Sequence, residues 1–172
     1  MRWLVLFAGL ALTAASAAPI KLSSSSFGNG AAIPSQCTCQ GNDLSPPLTW
    51  TDAPSDAKSL ALIVIDQDAT SGPDRHPFVH WIAFNMAPSL RTLPGGVRES
   101  TDLALQGMND FGRMGYAGPC PPSGRHRYMF RIYALDTRIV TTAPLTFAEF
   151  TKAVDGHVLG RGELVGTFAK TP

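Results

Sequence analysis

Residues 116–136, YAGPCPPSGRHRYMFRIYALD, constrain this chain more than any other stretch. The first nine of them hold three prolines, two glycines and a cysteine. Proline removes the backbone donor that a helix interior or a central strand needs, so this part is a loop. From His126 the pattern alternates. His126, Tyr128, Phe130, Ile132 and Ala134 fall on one side; Arg127, Met129, Arg131, Tyr133 and Leu135 fall on the other. A period of two in aromatic and branched residues predicts a strand over 126–135. His126 then stands where a stiff loop enters a sheet, on the face of Tyr128 and Phe130. A titratable group at the lip of an apolar face suits a pocket. The plainer reading of the same position is a half-buried strand-end histidine.

Two more strands are legible. Residues 59–66, SLALIVID, form a continuous apolar run of buried-strand length, followed closely by Asp68. Leu60, Leu62, Val64 and Asp66 share a side, and a carboxylate ending such a strand is costly unless paired or wet. Residues 69–77, ATSGPDRHP, read as a loop. Residues 78–85, FVHWIAFN, read as a strand with His80, Ile82 and Phe84 on one face and Trp81 and Ala83 on the other. Two strand-end histidines and a strand-end carboxylate point to a shared pocket.

Elsewhere the signals are shorter. Ile20, Leu22 and Phe27 support at most an irregular edge strand. Pro46-Pro47 forces extended backbone ahead of Leu48 and Trp50, which share a core-facing side. Residues 86–106 read as a long connection with one short strand near Leu103. Residues 107–115, GMNDFGRMG, read as a turn-rich loop of the kind that carries function. Thr146 and Glu149 make a capping box, and Phe147, Phe150, Ala153 and Val154 follow at helical spacing, so one short helix is expected over 146–156. His157 is then a helix-end histidine without function. Residues 163–169, ELVGTFA, read as the last strand.

The amino-terminal residues, MRWLVLFAGLALTAASAAP, place one arginine before a short apolar run and then small residues. That is the pattern of a secretory signal peptide, with cleavage after Ala17 favoured by Ala15-Ser16-Ala17. The organisation expected is therefore a signal peptide over 1–17 and a single domain over 18–172. The product is expected to be exported, periplasmic or secreted, and without a membrane span. Loss of Arg2 leaves thirteen basic against thirteen acidic residues, with no basic run, which argues against nucleic-acid binding. Three cysteines follow: Cys37, Cys39 and Cys120. In an oxidising compartment a disulfide is expected and one thiol is left over. Cys37 to Cys39 would close a strained ring. Either cysteine joined to Cys120 closes about 80 residues, worth roughly 4 kcal/mol in the chain-entropy model. Cys39–Cys120 is the favoured pair, and a zinc site at these cysteines is the weaker alternative.

Asp66, His80 and His126 at one pocket mouth would make a small anion site. A carboxylate accepting from one imidazole fixes its tautomer. Loop N–H groups would hold an oxyanion, and Phe78, Tyr128 and Pro121 would wall the site. Binding should then tighten below about pH 6.5, where imidazole gains a proton. Asp66, Asp68, His76, His80 and His126 are also acceptable metal ligands by type, but their spacing matches no compact metal motif, and no cofactor is expected. No Gly-x-Ser-x-Gly is present, and Cys120 with His126 could act as a nucleophile only outside a disulfide, so no enzyme is expected.

SPPLTW at 45–50, LALIVIDQDA at 60–69, HPFVHWIAFNM at 76–86, residues 107–136 and the terminal ELVGTFA together resemble the phosphatidylethanolamine-binding protein family. The likeness covers about residues 35–170 and is nearest the bacterial branch with a Gly-Pro-Cys-Pro-Pro loop. It implies a mostly β fold, a Greek-key antiparallel β-sandwich of a large and a smaller sheet with one or two short helices. It also implies a pocket for phosphate-like groups, formed by Asp66, Asp68, His80, Gly118, Cys120, Pro121, His126 and Tyr128. Gln67 stands where the family motif usually has proline, which should alter loop stiffness more than chemistry. Eukaryotic relatives commonly close the pocket with a carboxy-terminal helix; here the sequence stops just past its last strand, which implies a more open pocket. The family has no generally accepted reaction. The resemblance therefore implies an anion-binding or regulatory module for phosphate esters or phospholipid head groups, with a possible protein partner. Protease inhibition through the protein surface is the alternative.

Overall fold

The computed structural model describes residues 17–97 and 101–171. The expected signal peptide falls, apart from Ala17, outside the described residues. The strands are β1 (Ala18–Pro19), β2 (Lys21–Ser23), β3 (Leu48–Thr51), β4 (Ser59–Ser71), β5 (His76–Met86), β6 (Thr92–Leu93), β7 (Leu105–Gln106), β8 (Arg125–Leu135) and β9 (Val158–Ala169). Among the described residues, one helix, α1 (Phe147–Val154), and a single 3-10 turn at Ser35–Cys37 complete the regular structure.

A six-stranded sheet runs β1-β9-β8-β4-β5-β7, and a three-stranded sheet runs β2-β3-β6. The expected β-sandwich is the fold, with one parallel pair, β1 against β9, among otherwise antiparallel neighbours. Between the sheets lies the main core. Leu60, Leu62, Val64, Phe130 and Ile132 of the large sheet meet Leu22, Leu48, Trp50 and Leu93 of the small one. A second cluster covers the opposite face of the large sheet, where Ile63, Ile65, Val79, Ile82 and Phe84 pack beneath Phe150 and Val154 of α1. Strand β4 is central and covered on both faces, so every residue from Ser59 to Asp66 is buried. Its continuous apolar run follows from that double burial.

Helix α1 begins at the expected capping box: Thr146 accepts from the Glu149 N–H and the Glu149 carboxylate accepts from the Thr146 N–H. Several expected boundaries differ. The stretch 69–77 is mostly ladder, because Thr70 pairs with Pro77 and Ser71 with His76 around a four-residue turn. Gly72 and Arg75 supply its left-handed residues, and its side chains are polar because the hairpin projects beyond the core. Strand β9 begins at Val158 rather than at 163. Gly160 and Gly162 break the side-chain pattern there because the segment 18–20 crosses them closely; a Cβ on Gly162 would lie 2.2 Å from the Ile20 carbonyl oxygen. The short strand expected near Leu103 is β7, two residues later, and β6 had no legible pattern at two residues' length.

Candidate functional site

The hairpin β4–β5 and strand β8 bring the site together. Asp66 is opposite Phe78 on one side and Tyr128 on the other. Strand β4 then leaves its ladder with β5, and pairing resumes only at Thr70. This bulge turns the Asp68 N–H onto Asp66 Oδ1 at 2.8 Å. The other carboxylate oxygen of Asp66 is 2.7 Å from His126 Nδ1. Asp66 is 3% exposed, so its charge is held by these two contacts rather than by water.

His80 arrives by a second irregularity. Val64 pairs with Trp81 but Ile65 pairs with Val79, which leaves His80 as the extra residue of a bulge. Simple alternation put His80 with Ile82 and Phe84; that grouping is wrong. Ile82 and Phe84 pack under α1, Trp81 and Ala83 pack in the sandwich core, and the His80 ring meets Phe78, Tyr128 and Phe111. A strict period of two fails wherever a residue is inserted, and the insertion is what delivers His80 to the Asp66 side.

The Pro/Gly loop closes over His80 and is tied to it twice. The Ala117 N–H donates to the His80 carbonyl at 2.9 Å, and His80 Nδ1 donates to the Ala117 carbonyl at 2.6 Å. Burial pushes the His80 pKa down, against the smaller opposing pulls of the Ala117 carbonyl and the Asp66 and Asp110 carboxylates. His80 is therefore not the imidazole that gains a proton near pH 6.5. The loop is also stitched to residues 37–43. Tyr116 Oη donates to the Cys37 carbonyl, the Cys39 N–H donates to the Pro119 carbonyl, and the Gly118 N–H donates to Asp43 Oδ1. Cys39 and Cys120 form the favoured disulfide, with Cα atoms 5.4 Å apart, and Cys37 is the buried leftover thiol. That bond removes Cys120 as a nucleophile.

The result is a hollow of about 130 Å³ lined by Asp66, Ala69, Phe78, His80, Phe111, Cys120, Pro121 and Pro122. It is small beside ordinary ligand clefts of several hundred Å³. It suits one compact group with the remainder of the ligand outside. Larger depressions, of about 780 and 460 Å³, lie along α1, but exposed residues make up most of their walls. Beside the small hollow, the Tyr128 hydroxyl is buried next to the Asp66 carboxylate. Burial raises its pKa strongly, and the neighbouring Asp66 charge adds to the rise.

Asp66, His80, Cys120 and Pro121 thus line the hollow; His126 and Tyr128 support it from β8; Asp68 and Gly118 stand behind it. Asp68 forms a fork with Arg127, accepting from Nε at 3.0 Å and Nη2 at 2.5 Å, and this holds its pKa down to about 2. Gly118 has no room for a side chain: a Cβ would lie 2.4 Å from the Cys37 carbonyl oxygen. The metal candidates separate into different contacts, because His76 bonds to Asp74 and Asp110 rather than to Asp66. No cluster of three metal-ligating side chains occurs among the described residues.

Sequence reasoning passed over Phe111, Pro122 and Ala69 as wall residues, and Asp43 and Asp110 as anchors. Asp110 accepts from the Val79 N–H at 2.7 Å, holding the edge of β5 beside the His80 bulge. Asn109 accepts from the N–H groups of Phe111 and Arg113 and shapes the turn that presents Phe111. The signal in the sequence was a phenylalanine inside a loop of turn-forming residues; in the structure it is 49% exposed.

The phosphatidylethanolamine-binding protein model matches residues 23–169. A UPF0098 protein of Methanothermobacter thermautotrophicus is 42% identical over 154 residues, covering 88% of this chain and 99% of the relative. Among solved structures, a phosphatidylethanolamine-binding protein homologue of Chlamydia trachomatis superposes with a TM-score of 0.81 at 40% identity, covering 91% of this chain and all of that one. Escherichia coli YbcL gives 0.80 at 27% identity, over 88% and 99%. With the sandwich, the strand-end carboxylate and the stitched loop already in place, a family match over nearly all the described residues leaves one assignment: the chain belongs to the phosphatidylethanolamine-binding protein family.

Proposed function

We propose that the protein is an exported binding or regulatory module for small anions, taking a phosphate ester or a phospholipid head group at the Asp66–His80–His126 hollow. The observation that carries this reading is the composition of the hollow. A buried Asp66, paired with the half-buried His126 and flanked by the buried Tyr128 hydroxyl, sits under a collar of Phe78, Phe111, Pro121 and Pro122. Apolar walls strengthen each polar contact to a compact charged group. Export is supported by the Arg2-led apolar run, by Ala15-Ser16-Ala17 and by the Cys39–Cys120 disulfide, a bond typical of oxidising compartments.

Isothermal titration of the protein lacking residues 1–17 with phosphate, O-phosphoethanolamine and acetate, from pH 5 to 8, tests the reading. Phosphate-group binding that falls at least tenfold in His126→Ala and in His80→Ala is the expected result. Absence of heat and of any thermal shift with all three would remove the ligand reading. Inhibition through the protein surface would then be tested against a panel of proteases.

A further inference from the structure

His76 does not line the hollow, yet each nitrogen of its ring meets a different carboxylate. Nδ1 is 2.8 Å from Asp74 Oδ1, and Nε2 is 3.1 Å from Asp110 Oδ2. An ionised carboxylate only accepts, and a neutral imidazole has one N–H to give. Both contacts are hydrogen bonds only while the ring carries two protons. The ring lies flat on Phe147, the first residue of α1, with centroids 4.6 Å apart and planes 10° apart. Gly72 closes the turn tightly around the pair: a Cβ there would lie 2.8 Å from Asp74 Oδ1 and 3.0 Å from His76 Cε1. The charged groups facing the ring are Asp74 from the hairpin and Asp110 from the 107–115 loop, while α1 presents the uncharged Phe147. Burial pulls the His76 pKa down, but the two carboxylates outweigh it and the net shift is upward.

Asp110 connects this contact to the wall of the hollow. Its Oδ2 also accepts from the Val79 N–H at 2.7 Å, and its own N–H donates to the Val79 carbonyl at 2.9 Å. The next residue is Phe111, whose ring meets those of Phe78 and His80 at centroid distances of 4.9 and 5.5 Å. One imidazolium thus fastens three elements: the β4–β5 hairpin, the 107–115 loop and the start of α1. We propose that His76 is a proton-dependent latch that holds the Phe111 loop against β5 and releases it as the pH rises. The Nδ1 contact is the shorter of the two, so Nδ1 keeps the last proton when the ring becomes neutral. Nε2 then sets a lone pair against the Asp110 carboxylate, and the two part. A pKa raised on folding makes the Asp110 contact complete below the unfolded value of about 6.5, and it is lost as the pH climbs through the higher folded value.

NMR on the protein lacking residues 1–17, which keeps every strand and α1, tests the latch without any ligand. The His76 ring should titrate above about pH 6.5, and its neutral form should carry the proton on Nδ1. Amide exchange at Val79 and Asp110, corrected for its intrinsic pH dependence, should quicken about threefold or more across the same titration. Asp74→Asn, a change at a mostly exposed side chain, should move the ring titration and the loosening of the loop together to lower pH. His76→Gln should abolish the midpoint in the exchange data. A His76 midpoint at or below about 6.5 overturns the proposal, as does a neutral ring protonated on Nε2. Exchange that stays level through the titration, or a loop midpoint that does not follow the ring in Asp74→Asn, overturns it as well. The wild-type titration and Asp74→Asn decide the matter without a variant at His76 that must fold.

Discussion

Asp66 and Asp68 are separated by one residue and serve different ends. Asp66 is buried against His126, whereas Asp68 is partly exposed in a fork with Arg127. The Asp68 pKa lies near 2, below its unfolded value near 4, so its contribution is complete above the unfolded pKa and is lost as pH falls through 2. Because both partners reach solvent, the contribution is modest. Asp68→Asn is expected to cost about 0.5–1 kcal/mol at pH 7 by urea denaturation, with the difference from wild type shrinking toward zero near pH 2. A constant difference across that range would show that the fork is not the source. The residue types of the site were readable in advance: a carboxylate after an apolar strand and histidines at strand ends are anomalous wherever they occur. Their partners were not. Arg127 for Asp68, and the Ala117 carbonyl for His80, depend on which segments the fold lays side by side.

At the scale of elements, bulges and glycines decide what periodicity cannot. Strand β8 alternates without interruption and was legible throughout, as was α1 with its capping box. Strand β5 carries the bulge at His80, and β9 carries glycines where another segment needs the space. The β9 glycines are testable. Gly162→Ala would force the Ile20 carbonyl away, at a cost of about 1–3 kcal/mol from overpacking. Hydrogen exchange should quicken at the Ile20 amide, which donates to the Arg161 carbonyl at 2.9 Å. Unchanged stability and unchanged Ile20 protection would show that β1 and its approach do not depend on that contact.

Across the whole molecule, the Cys39–Cys120 bond joins positions 81 residues apart and fastens the loop that walls the hollow. Cys120→Ser should lower stability by about 2–4 kcal/mol and weaken phosphate binding together, because the same bond restricts the unfolded chain and positions the wall. Loss of stability with binding intact would assign the bond to the scaffold alone. Composition, strand periodicity, turn residues and cysteine count depend on neighbours along the chain, and they were enough for a β-sandwich with one helix and for most of the site's residue types. Tertiary structure decided the rest. The register shift that turns His80 toward Asp66, the bulge that separates Asp68 from the hollow and the loop that presents Phe111 each depend on contacts between distant segments. Such contacts are chosen by packing and by the need to satisfy buried polar groups, not by any local preference of the residues that make them.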